Sequence, residues 1–209
     1  FCEIGVELSW DDDNDNDGDG TVDCAATDCT NQLICVVTSC PPGSSLEIYT
    51  ATDVPVTLLD PGQAVSTLTI PDLGLVEVAA VRIGISHTYD ADLDIVLDAP
   101  GGNVALSTDN GGTADNYTET TFLDSAAASI TTGTAPFTGA WRPEEPLSVL
   151  FGTALEGVWT LEVNDQFSDD TGTIDTFKVG ICACDAASGE CELGPACRDA
   201  LDNDGDDAV

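Results

Sequence analysis

The chain has 209 residues and a formal net charge of −35, with 39 acidic residues opposed only by Arg82, Arg142, Lys178 and Arg198. That length allows one substantial core. A charge of that sign excludes nucleic acid and anionic membrane as natural partners, and it calls for a neutralising divalent cation. There is no initiator Met and no charged-then-apolar leader. There is also no apolar run of about 18 residues to span a bilayer. The reading is a mature piece of an exported protein, extracellular or at the cell surface.

Taken in chain order, residues 1–30 form an Asp-rich zone. Within it Asp15-x-Asp17-x-Asp19-Gly20-x-x-Asp23 sets carboxylates at alternate positions, with glycine for the tight turn. This is the opening of an EF-hand-like loop, in which Asp15, Asp17 and Asp19 give side-chain oxygens and Thr21 gives its carbonyl. Ala26 stands where the closing Glu belongs, so Asp28, or Asp11, Asp12 or Asp13 from the preceding run, is expected to complete the calcium shell. Residues 31–45 are a Cys- and Pro-containing connector.

The third zone, 46–183, is a succession of short β-type runs. Strands are expected at Val65–Ile70, Leu75–His87, Asp92–Leu97, Asn103–Ser107, Pro146–Phe151, Val158–Val163 and Thr173–Cys182. Gly-, Asn- and Pro-bearing turns separate them, among them Ala99-Pro100-Gly101-Gly102 and Asp109-Asn110-Gly111-Gly112. No segment carries a sustained helical period. The class is therefore all-β, an antiparallel sandwich or jelly roll. The last zone, 184–209, returns to Cys, Gly and Asp. Its Asp202-Asn203-Asp204-Gly205-Asp206 repeats the first acidic run, so Asp202, Asp204 and Asp206 are expected to begin a second, incomplete calcium loop.

The cysteines are Cys2, Cys24, Cys29, Cys35, Cys40, Cys182, Cys184, Cys191 and Cys197. Their density at the flanks, without interspersed His, argues for disulfides in an oxidising compartment, with the pairing open. The odd count leaves one for a free thiol or a neighbouring copy. Asp90 and Asp92, with Asp124, Asp165 or Asp170, are candidates for another calcium site. His87 is the one histidine, and with no GxSxG and no cysteine in the core it lacks a nucleophile to serve. The chain is read as a non-enzyme, and His87 as a structural hydrogen-bonding residue. Asn116-Tyr117-Thr118 is a glycosylation sequon, and Asn110-Gly111 is a turn whose only expected chemistry is deamidation.

Five ordered blocks of the middle zone carry a family resemblance. They are His87-Thr88-Tyr89-Asp90-Ala91-Asp92-Leu93-Asp94-Ile95 with Leu97-Asp98-Ala99-Pro100-Gly101-Gly102; Thr121-Phe122-Leu123-Asp124-Ser125-Ala126; Trp141 through Ser148; Gly157 through Val163; and Asp169 through Ile174. The pattern resembles the P domain, the β-sandwich companion of kexin- and furin-like proprotein convertases. The resemblance implies a jelly-roll-like sandwich without catalytic residues of its own, which buttresses a subtilisin-like domain in the convertases. The acidic flanks are similar to the Asp-rich calcium repeats of thrombospondin type 3.

Two phrases, Cys2-Glu3-Ile4-Gly5 and Cys191-Glu192-Leu193-Gly194, each precede an acidic run. A chain that ends by restarting its beginning suggests one period of an extracellular fibre, filament or stalk. Neighbouring copies would meet head-to-tail through calcium-loaded, disulfide-stapled connectors. The alternatives are a non-catalytic accessory domain of a secreted subtilisin-like protease, and an adhesive module presenting Trp10, Trp141 and Tyr117 to surface proteins or glycans.

Overall fold

The computed structural model describes residues 44–184 together with Leu33, Val37, Cys40 and Pro41. Ten strands run through it: β1 (Ser45–Thr50), β2 (Val56–Thr57), β3 (Gly62–Ile70), β4 (Leu75–His87), β5 (Leu93–Ala99), β6 (Gly102–Thr108), β7 (Tyr117–Phe122), β8 (Phe137–Trp141), β9 (Gly157–Asp165) and β10 (Gly172–Cys184). They form two sheets, β1-β10-β4-β7-β8 with β2 also on β10, and β3-β9-β5-β6. The expected β-sandwich is present. All pairs are antiparallel except β7 with β8, which run parallel.

Alternation explains the facing layers. In β9, Trp159, Leu161 and Val163 point into the core while Thr160 and Glu162 do not, as a period of two requires. In β5 the same period buries Leu93, Ile95, Leu97 and Ala99 and turns Asp94, Val96 and Asp98 outward. In strand β3 the apolar Val65 stands on the outer face and Ser66 takes the inner place. That hydroxyl is tolerated because it donates to Asp53 Oδ1 at 2.6 Å.

Strand β4 reads almost continuously apolar because both of its faces are covered. Ala79, Val81, Ile83 and Ile85 face the main core. On the outer side Val78 and Ala80 pack with Leu33, Val37, Leu46, Leu123 and the Cys40–Cys182 pair. Leu33, Val37 and Cys40 thus lie over the first sheet, and Cys40 is fixed there by a disulfide spanning 142 residues. Cys184 is disulfide-bonded as well.

The expected strand at Pro146–Phe151 is a 3-10 turn, Leu147–Leu150. Leu147 and Leu150, three apart, eclipse on one side of such a turn and both are buried. Asp124 accepts the Leu147 and Ser148 N–H groups, each at 2.8 Å, and so holds the start of the turn. Just before it, Glu144 and Glu145 cross to the second sheet and bond the open edge of β6. Their N–H groups donate to Leu106 and Ala105 carbonyls, and their carboxylates accept from Thr108 and Ala105. Strands β1, β2, β7 and β8 have no counterpart in the sequence reading. β7 is mostly polar, Tyr117-Thr118-Glu119-Thr120-Thr121-Phe122, and its place between β4 and β8 explains its burial.

Candidate functional site at the His87 end of the sandwich

Strand β4 ends at His87, a single 3-10 turn follows at Asp90–Asp92, and β5 starts at Leu93. The recognisable His-Thr-Tyr-Asp-Ala-Asp run is therefore a corner between the two sheets. The corner turns inward because each polar group finds a partner inside. His87 is 1% exposed, with Nδ1 2.9 Å from the Tyr89 carbonyl and Nε2 3.2 Å from Asp165 Oδ2 at the end of β9. The His87 N–H donates to Asn116 Oδ1 at 3.0 Å. Thr88 donates to Asp170 across the β9–β10 loop, and the Gln166 N–H donates to the Asp92 carbonyl. His87 thus ties β4 to β9 through its ring and to the loop before β7 through its backbone N–H.

Among the described residues no Ser, Thr or Cys side chain is hydrogen-bonded to the His87 ring. A general base needs a proton to take within hydrogen-bond reach. Here the ring is spent on a carbonyl and a carboxylate, which is the arrangement of a corner brace.

Asp90 and Asp92, expected as calcium ligands, are both in this corner but engaged differently. Asp90 is wholly buried, and Oδ1 accepts the Asn116 N–H at 2.9 Å while Oδ2 has no hydrogen-bond partner. Gly111 lets it sit there, since a Cβ at that position would stand 2.7 Å from Asp90 Cβ and the backbone has φ +94°. Burial pushes the Asp90 carboxyl up to about 7; the Asn116 N–H and His87 act against the rise, and Asp115 adds to it. Asp92 is also raised, by burial first and then by Asp165, Asp170 and Asp109, with His87 opposing. Asp124, suggested as a further ligand, is occupied with the Leu147 turn.

Among the described residues no three His, Cys, Asp or Glu side chains gather to hold a metal ion. The other expected ligands, Asp13, Asp15, Asp17, Asp19, Thr21, Asp23, Asp28, Asp202, Asp204 and Asp206, lie outside the described residues. So do Cys2, Cys24, Cys29, Cys35, Cys191 and Cys197.

The buried Asp90 carboxyl makes stability depend on pH. Its folded pKa lies above the unfolded value, so the stability from its protonated form is full below about pH 4. That stability is lost as pH rises through about 7. Its removal costs on the order of a few kcal/mol. In chelator, urea midpoints should fall across this window, and Asp90→Asn should flatten the fall. An equal slope in Asp90→Asn would show that another group carries it.

Asn116, the residue of the glycosylation sequon, has a structural part in this corner. It adopts φ +76°, its N–H binds Asp90 and its side-chain carbonyl binds His87, so it is a clamp of the corner. Of the aromatics considered for an adhesive surface, Tyr117 is turned into the core and Trp141 is partly exposed. Tyr117 is buried and stacked on Phe137 at 4.8 Å, and Trp141 packs edge-on against the same ring. Trp10 lies outside the described residues. Among those residues no helix is long and apolar enough to cross a membrane.

This geometry accompanies clear relationships to known proteins. A family model described as the proprotein convertase P-domain matches residues 76–181. The chain is 29% identical over 146 residues to leupeptin-inactivating enzyme 1 of Streptomyces exfoliatus, covering 68% of this chain and 27% of that protein. It is 31% identical over 139 residues to a calcium-dependent protease of Nostoc sp., covering 64% of this chain and 18% of the relative. The crystal structure of a serine protease of Aeromonas sobria aligns with a TM-score of 0.42 at 17% identity, over 66% of this chain and 26% of that one. Its complex with a chaperone aligns with a TM-score of 0.43 at 18% identity, over 68% and 27%.

Proposed function

This chain belongs to the proprotein convertase P-domain family, and from that premise we propose that it is the non-catalytic accessory sandwich of a secreted, subtilisin-like, calcium-dependent protease. The carrying observation is the corner at His87. The one imidazole of the chain is enclosed between Asp165 and the Tyr89 carbonyl, and among the described residues no Ser, Thr or Cys side chain is bonded to it. Hydrolysis then belongs to another part of the protein, in keeping with a chain that spans 27% and 18% of its two curated relatives, one of them named as a protease.

A sandwich of this kind acts through stability. Its two apolar layers fold on their own core and offer a fixed body against which a neighbouring catalytic domain rests. An extracellular setting agrees with the Cys40–Cys182 disulfide. Calcium enters through the Asp-rich flanks, whose alternate carboxylates suit a hard cation with oxygen ligands. The fibre drawn from the paired Cys-Glu-Ile-Gly and Cys-Glu-Leu-Gly phrases gains nothing from these relatives, and its joints lie outside the described residues.

The test has two parts. The chain alone, given a casein or peptide substrate, is expected to hydrolyse nothing above background. The parent protease is then prepared with and without this sandwich, and its thermal inactivation is followed. Loss of the sandwich should shorten the half-life at least tenfold, the equivalent of about 1.4 kcal/mol in the barrier. Equal half-lives, or hydrolysis by the isolated chain, would sink the accessory reading.

A further inference from the structure

Away from the His87 corner, one cluster of polar atoms has no role in anything described so far. Thr50, Lys178, Arg82 and Thr121 stand opposite one another across β1, β10, β4 and β7. Directly paired residues of neighbouring strands share a face. Phe177, Val179, Val81, Ile83 and Phe122 fill the core face, so Lys178, Arg82 and Thr121 point to the other side. Two of the four cations of the chain thus stand side by side. The adjoining row, Gly180 and Ala80, lies beneath Leu33 and its neighbours in the connector layer.

Arg82 and Thr121 are enclosed, at 3% and 0% exposure, while Lys178 is half-buried at the rim and Thr50 is exposed. The Arg82 Nη2 pairs with Glu119 Oε2. Its Nε and Nη1 are buried with no acceptor, and so is Thr121 Oγ1. Burial, and then the like charge of Arg82, push the Lys178 ammonium down. Two cations face one carboxylate, which leaves one positive charge in excess. Each buried donor left unmet costs roughly 1–3 kcal/mol, and more when charged. The −35 of the whole chain does not cancel this local field, because exposed charges are largely screened beyond about 8 Å in physiological salt.

We propose that Arg82, Lys178 and Thr121 frame a binding site for one small monovalent anion, chloride in an extracellular medium. The burial of Arg82 and Thr121 favours an ion of the dimensions of water over a phosphate group or a peptide carboxylate. The donors set the sign, since the guanidinium N–H groups, the ammonium and the hydroxyl all have hydrogens to give. A water molecule matches the size but brings no charge to offset the excess cation.

The experiment uses the intact chain at constant ionic strength, with sodium gluconate replaced by sodium chloride or sodium bromide. The thermal midpoint should rise by about 2–4 °C in either halide. Crystals soaked in bromide should show an anomalous peak beside Arg82. Arg82→Leu should abolish both responses but also changes the packing. Thr121→Val and Lys178→Met keep the Arg82–Glu119 pair and are the deciding variants, expected to lose most of the halide response together. A midpoint equal in all three salts would overturn the proposal. So would a halide shift of the same size in the Thr121→Val, Lys178→Met double variant.

Discussion

Trp159→Ala is expected to cost about 3–5 kcal/mol of folding stability, which is the range for removing a large aromatic from a packed core. Among the described residues Trp159 is the largest fully buried side chain, placed on β9 between β3 and β5. Its indole N–H donates to the Leu155 carbonyl at 3.1 Å, so its loss leaves a cavity and an acceptor without its donor. At roughly 2–4 °C per kcal/mol for a chain of this size, the thermal midpoint should drop by about 10 °C or more. Trp159→Phe keeps most of the apolar volume and gives up the hydrogen bond, so it should lose distinctly less. Calorimetry of the three proteins orders them. A drop below about 1 kcal/mol for the alanine variant would mean that the core closes around the gap, contrary to its interlocked packing.

The second large effect belongs to the bond between Cys40 and Cys182. Opening it frees a closed loop of 142 residues, for which the chain-entropy argument gives about 5 kcal/mol and experience with native disulfides about 2–5. It also releases the layer formed by Leu33, Val37 and Leu46, exposing Ala80, Val78 and Leu123 on the outer face of the first sheet. A Cys40→Ala, Cys182→Ala variant should therefore unfold at a markedly lower urea concentration and bind more hydrophobic dye before it unfolds. If its midpoint matches that of the oxidised protein, the connector holds its place by apolar contact alone.

These two features differ in how far they could be read beforehand. The inward place of Trp159 is legible in the sequence because Val158 to Val163 alternates, and a period of two assigns each side chain to a face. The same logic located β4, β5, β6 and β10. It failed at Leu147–Leu150, where apolar residues three apart were read as a strand although a distant carboxylate, Asp124, fixes the turn. It missed β7 because a row of threonines and a glutamate gives no apolar signal, and only the flanking strands bury it. The His87 corner was legible as a motif. Its wiring was not, because Asp165 stands 78 residues away and Asn116 29 residues away. For the same reason the Arg82–Glu119 pair, 37 residues apart, and the Asp53 contacts to Ser66 and Thr67 carried no local signature.

The Cys40–Cys182 bond has one more consequence, and it is mechanical. Ser45 pairs with Ala183, so β1 enters and β10 leaves at the same end of the sandwich, with the sulfur bridge just beside them. Tension applied between residues before Cys40 and residues after Cys182 passes from one sulfur to the other. The strands between them bear no load and the module cannot lengthen, however hard its flanks are pulled. In the oxidised state the sandwich is a pendant on the chain rather than a link in it.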